Sequence, residues 1–271
     1  MKKIISLILV CTLIFALTGC GKSEDEFNPN VTVKKKIVLN NNKIKLSIKE
    51  QSFKEGKLIF DVENKTNKNV KSGVLKSLVN NICLENTSGE SSIKAKKTST
   101  FEVVFNKDEM KKVKIGEVSS ISLSIIFIDK DFNEVTNTGY FTLKTSSDYE
   151  QDLESSGDEV FNKKDVSVYL VNKEVVDNQV YWNLQIINNS KNAYFINIGD
   201  AKVNKAEFKS TFVYETIPAK SLTNKKLVIG SGELSEYHVS AKQIGTLKVT
   251  IALYDIDTYE KRAEQTEVEL K

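Results

Sequence analysis

The sequence predicts an all-β chain built as two tandem β-sandwiches. Three observations lead there: short runs of alternating apolar and polar residues, turn-forming clusters between them, and a repeat through most of the chain. Ile44, Leu46 and Ile48 alternate with Lys45, Ser47 and Lys49, as in a strand with one core face and one wet face. Phe60 and Val62, Val103 and Phe105, and Ile121, Leu123 and Ile125 continue the pattern. Trp182, Leu184 and Ile186, then Leu247, Val249, Ile251 and Leu253, repeat it later. Stretches rich in Asn, Lys, Thr and Gly at 64–69, 86–90, 188–192 and 230–232 separate the runs. Strands this short and this frequent fit an immunoglobulin-like sandwich, in architecture only, because the chain has no Cys…Trp…Cys signature.

The repeat sets the domain organisation. Asn42 to Ile48 matches Lys164 to Leu170, and Leu58 to Thr66 matches Trp182 to Ser190. Val79-Asn80 matches Val203-Asn204, Ile93 to Lys96 matches Ile217 to Lys220, and Ile125 to Asp131 matches Ile251 to Asp257. Five collinear matches at a nearly constant offset indicate a duplicated domain. The expected units are residues 34–145 and 160–271, joined by a linker at 146–159. Two segments in equivalent places, 107–112 and 233–239, are each expected to form a helical turn crossing between sheets.

The N-terminus reads as an address. Lys2 and Lys3 precede an apolar run, residues 4–17, that is too short to span a membrane. Leu17-Thr18-Gly19-Cys20 then resembles the lipobox of bacterial lipoproteins. That resemblance implies removal of residues 1–19, a diacylglyceryl group on the Cys20 thiol and a tether over 20–33. It places the protein on the extracytoplasmic face of the cell membrane.

Charge is unevenly spread. Residues 34–144 carry 21 basic and 13 acidic side chains, residues 145–159 six acids and no base, and residues 160–271 nearly balance. The formal charge of +3 falls further once Lys2 and Lys3 leave, so nucleic acid is not an expected partner. The lysines to watch are Lys34 to Lys36, Lys94, Lys96 and Lys97, and Lys111, Lys112 and Lys114. Without Cys11 and a lipidated Cys20, Cys83 is the sole free thiol, expected to be buried and inert.

Catalytic motifs are scarce. His238 is the only histidine, so a His-based zinc site or a Ser-His-Asp triad would need unrelated partners. No phosphate-cradling glycine loop is present. Asp129, Asp131 and Asn133 have a spacing that can converge oxygens on Ca²⁺, and Asp255 and Asp257 repeat it in part. Glu134 and Tyr140 stand where a calcium loop requires Gly and Glu, so a hairpin turn with Asp side chains on backbone amides is the stronger expectation. Aromatics at 181–182, 194–195, 212 and 214 offer stacking surfaces, half of them expected in the core.

Asn188-Asn189-Ser190, Asp200 to Asn204, Ile217 to Lys220 and Tyr254 to Asp257 resemble an Ig-like domain found in tandem in lipoproteins of Clostridia and related Gram-positive bacteria. The resemblance implies fold and location and brings no catalytic residues. The glycine usual after the Val-Asn pair is replaced by Asn81 and Lys205, leaving the turn type open. The expected function is a membrane-anchored, non-catalytic binding module for an envelope protein or wall polymer. The alternatives are a solute- or ion-binding lipoprotein serving a transporter or sensor and, less favoured, a secreted hydrolase.

Overall fold

The structure is a computed structural model that describes residues 31–34, 37–203, 206–256 and 266–271. Strands take up 61% of the described residues and helix 8%, which makes it an all-β protein. The first sandwich contains β1 (Ile37–Asn40), β2 (Ile44–Ser52), β3 (Lys57–Asn64), β4 (Val70–Val79), β5 (Ile82–Leu84), β6 (Glu90–Ile93), β7 (Thr98–Val104), β8 (Ser120–Ile128) and β9 (Glu134–Lys144). A short helix α1 (Lys107–Lys112) crosses from β7 to β8. One layer has the order β1-β2-β3-β7; the other has β5-β4-β8-β9, with β6 also against β4.

The second sandwich repeats this plan. Its strands are β10 (Asp158–Lys163), β11 (Val166–Val176), β12 (Gln179–Asn188), β13 (Tyr194–Val203), β14 (Ala206–Ile217), β15 (Ser221–Ile229), β16 (Leu247–Asp255) and β17 (Thr266–Leu270). Helix α2 (Ser231–Glu236) lies where α1 lies in the first copy. The layers are β10-β11-β12-β15 and β14-β13-β16-β17, so the single long β14 takes the place of β5 and β6. Alternation fixes which residues face inward: Leu58, Phe60 and Val62 on β3, and Val180, Trp182 and Leu184 on β12, are all fully or almost fully buried.

Hairpins are set by residues that tolerate positive φ. Lys164 and Asp165 (φ 54° and 61°) turn β10 into β11, and Asp177 and Asn178 (49° and 57°) turn β11 into β12. Asn80 and Asn81 (50° and 67°) turn β4 into β5. Positive φ at both central residues matches the right-handed twist of the flanking strands. Asparagine adopts it readily, so Asn81 fills the place of the expected glycine. Its counterpart Lys205 lies outside the described residues. Each helix starts on a local carboxylate or amide: Asn106 Oδ1 accepts from the amides of Asp108 and Glu109, and Glu233 Oε2 accepts from the Gly230 amide at 3.1 Å.

The core of the second sandwich is drawn entirely from residues 161–270. The first core runs from Val31 to Leu143 and also takes in Ile187 and Leu222 from the second half. That sharing marks a seam. Strand β15 pairs in parallel with β5 at Leu222 and Ile82, and the Leu222 amide donates to Asn81 O at 3.0 Å. One nine-stranded sheet therefore passes from one sandwich into the other.

The segment expected as a linker is pinned at both ends. Thr145 bridges to Val33, Leu153 packs on the first core, and the Ser156 amide donates to Gln185 Oε1 at 2.9 Å. Gly157 enters β10 at φ +92°, where a Cβ would stand 2.1 Å from Leu170 O, so the position requires glycine.

Candidate functional site

Asp129 begins the turn between β8 and β9. Its Oδ1 accepts from the amides of Asp131 and Asn133, both at 3.0 Å, and from Asn133 Nδ2 at 3.3 Å. Its Oδ2 takes Lys68 Nζ at 3.1 Å. The hydrogen bond from Lys68, helped by the turn amides against a smaller burial effect, holds its carboxyl below the usual carboxylate range. Only 4% of Asp129 is exposed although it sits in a peripheral turn, because Lys68 and its own turn cover it. Both oxygens are thus committed to N–H donors, which is the hairpin-turn arrangement expected from the sequence. Asp131 and Asn133 lie at the surface, Asp255 ends β16, and Asp257, like Cys20, falls outside the described residues. Among the described residues no three His, Cys, Asp or Glu side chains gather as a metal-binding group.

The aromatic candidates separate by face. Trp182 and Tyr194 are core residues. On the outside, Phe195 meets Tyr214 edge-on at 4.2 Å and Tyr254 at 6.3 Å. Lys226 sits over the Tyr181 ring at 5.6 Å. His238 is exposed and ends α2 at φ 55°, its amide donating to Ser235 O.

The geometry that sequence reasoning missed lies where the halves meet. Glu215, near the end of β14, brings two lysines together: Lys76 Nζ at 3.2 Å from Oε2 and Lys225 Nζ at 3.2 Å from Oε1. The second contact is a charge pair without an aligned hydrogen bond. Lys76 also donates to Thr216 O at 2.6 Å, and Lys225 reaches Glu85 at 3.1 Å. Burial lowers the Lys225 pKa, but the Glu215 and Glu85 carboxylates outweigh it and leave it raised. Cys83 lies beside this group, and burial pushes its thiol pKa up.

Next to the seam a cleft of about 1020 Å³ opens between the sandwiches. Asn106, Glu109 and Lys112 line it from the first sandwich, Asn183, Gln185 and Lys226 from the second, and Tyr149 to Ser156 form a third wall. Glu109 is already engaged, accepting from the amides of Glu85 (2.6 Å) and Asn86 (2.9 Å). The lining mixes polar and oppositely charged side chains with apolar ones, Ile82, Val113, Val171, Leu184 and Leu222, so it offers hydrogen bonds, charge contacts and apolar surface together. Only the residue types were legible in the sequence; their convergence comes from the seam. No helix among the described residues is long and apolar enough to cross a membrane.

No family model and no curated protein matches the chain. Among solved structures, the YadV chaperone is similar at 9% identity, covering 80% of this chain and 94% of that one, with a TM-score of 0.24. Red sea bream transglutaminase is similar at 10% identity and TM-score 0.22, with 79% of this chain and 29% of that one covered. The Amycolatopsis orientalis exo-chitosanase CsxA is similar at 11% identity and TM-score 0.23, with 83% of this chain and 26% of that one covered. Likenesses this remote assign neither a family nor an activity.

Proposed function

We propose that the chain is a lipid-anchored, non-catalytic binding module of the cell envelope. The residue-20 thiol carries the anchor, and the joined sandwiches present one surface to an envelope protein or wall polymer. The observation that most supports this reading is the seam. Pairing β5 with β15 and closing Glu215 between Lys76 and Lys225 turns two small domains into one body with a cleft beside the seam. The reach of loops and strand edges on such sandwiches suits recognition of another molecule. A second reading, a solute-binding lipoprotein, draws on the volume of that cleft, which matches the upper range of small-ligand sites. Its breadth, walled by both sandwiches and by residues between Tyr149 and Ser156, fits an extended partner better than an enclosed solute. An ion-binding role is weakened by the engagement of both Asp129 oxygens.

The test uses the lipidated protein in living cells, with a photo-crosslinking side chain at Asn183 in the cleft or at Asp177 outside it. Discrete adducts from position 183 only, all of them in the membrane fraction, are expected. Cys20→Ala should release the protein from salt-washed membranes; unchanged retention after the wash would overturn the anchor. A labelled small solute in place of an envelope component would favour the second reading.

A further inference from the structure

We propose that the turn-bearing end of the first sandwich docks on an anionic lipid bilayer, with Phe132 entering the headgroup region inside a ring of lysines. The docking presupposes the Cys20 anchor, which keeps a bilayer within reach.

Phe132 is the starting observation. It is 79% exposed, more than any other large apolar side chain among the described residues. Single exposed apolar side chains are common on protein surfaces; what marks this one is that none of the core packs against it. The turn holds it out instead. The Asp129 carboxylate binds the amides on either side, of Asp131 and Asn133, and the Phe132 amide donates to Asp129 O at 3.1 Å. Phe132 itself sits at φ 63°, the left-handed region that a bulky residue seldom occupies. The buried carboxylate therefore acts as a pedestal for an exposed aromatic.

Charge supplies the second observation. Four turns meet at this end: 41–43, 65–69, 94–97 and 129–133. Asn64, buried beneath them, donates to Lys68 O, Ile93 O and Lys94 O. Lys43 reaches Val135 O, Lys65 reaches Asn41 O and Lys96 reaches Lys65 O. These turns carry Lys43, Lys65, Lys68, Lys94, Lys96, Lys97 and Lys130, against Asp129, Asp131 and the adjoining Glu134. A carbonyl oxygen is no counter-ion, so these contacts leave the excess of basic side chains uncompensated. Of the three acids Asp129 is already paired with Lys68. Lys94, Lys97 and Lys130 are exposed and form no ion pair among the described residues. An aromatic side chain within excess positive charge matches an interface that is negative at its surface and apolar just below. A soluble polyanion would use the lysines and leave Phe132 without a role.

Reach is sufficient. Residues 33 and 34 join the sandwich at its opposite end, where the Val33 amide donates to Gln51 Oε1 and the Lys34 amide to Lys144 O. Strand β2 from Gln51 back to Ile44 spans about 23 Å. The chain from Cys20 to Val31 can extend to at most about 40 Å. An anchored molecule can therefore lay this end on the membrane.

The test uses residues 21–271, without the thiol anchor, and vesicles of phosphatidylcholine with or without phosphatidylglycerol. Binding only to the anionic vesicles, weakened by salt, is expected. Replacing Lys94, Lys97 and Lys130 together by Glu should weaken it by about tenfold or more. The same change at Lys163, Lys191 and Lys242 of the second sandwich should leave it within about twofold. Phe132→Trp should shift its emission to the blue on anionic vesicles, against a constant signal from buried Trp182. Absence of binding, equal binding to neutral vesicles, or equal loss in both triple variants would overturn the proposal. So would tight binding of inorganic polyphosphate together with vesicle binding indifferent to Phe132→Ala. Because Cys20 is absent, any of these outcomes leaves the anchor to be judged by membrane fractionation alone.

Discussion

Asn64 and Asn188 occupy the same place in the two sandwiches and make the same bonds. Asn188 Nδ2 donates to Asn192 O, Ile217 O and Pro218 O, as Asn64 Nδ2 does to Lys68 O, Ile93 O and Lys94 O. Each Oδ1 accepts from the amide and hydroxyl two residues on, at Ser190 or Thr66. Lys96 and Lys220, both at positive φ, then donate to Lys65 O and Asn189 O. A buried carbonyl left without a donor is costly, so Asn64→Ala or Asn188→Ala should each destabilise the protein by about 2–4 kcal/mol. Urea denaturation of each variant checks this, and a loss under about 0.5 kcal/mol would show the carbonyls finding other donors.

At the scale of elements, β14 is an edge strand whose Glu215 neighbours inward-facing partners. Glu215 pairs in register with fully buried Ile196. A charge there would be unfavourable alone, but Lys76 and Lys225 neutralise it from β4 and β15. The seam is therefore specified by charge as well as by the short parallel pairing. Cys83 on β5, 4% exposed and with its thiol pKa raised by burial, reports on it. A thiol reagent should label the native protein slowly. Glu215→Ala strands two partly buried ammonium groups and should speed labelling about tenfold, a loss of about 1–2 kcal/mol in seam closure. Equal rates in both proteins would show that the ion pairs do not hold the seam.

At the scale of the whole molecule the two halves are unequal partners. The second core is self-contained, whereas the first includes Ile187 and Leu222 from its neighbour. A fragment of residues 158–271 should melt cooperatively on its own. A fragment of residues 31–145 should be less stable than its sandwich in the full chain by about 2–5 kcal/mol, since two large side chains no longer cover it. Calorimetry of both fragments and of the full chain decides the point. Equal stability of the first sandwich alone and in the full chain would mean the seam contributes nothing to it.

Sequence alone determined the all-β class, the main alternating strands, their duplication and several of the turns between them. These depend on local alternation, on Asn and Asp in positive-φ turns, and on the Asn-x-Thr and Asn-x-Ser clamps, whose repetition at Asn64 and Asn188 is plain in the chain. Alternation also placed Trp182 and Phe60 in cores, and Glu134 and Tyr140, standing where a calcium loop requires Gly and Glu, pointed to the turn that Asp129 makes. Only tertiary structure decided that β5 and β15 join the sandwiches, that Glu215 is closed between Lys76 and Lys225, and that four distant turns bring their lysines to the end that carries Phe132. Those are contacts between residues tens to more than a hundred positions apart. Their energy comes from burial and charge pairing across elements, which no local pattern of residues encodes.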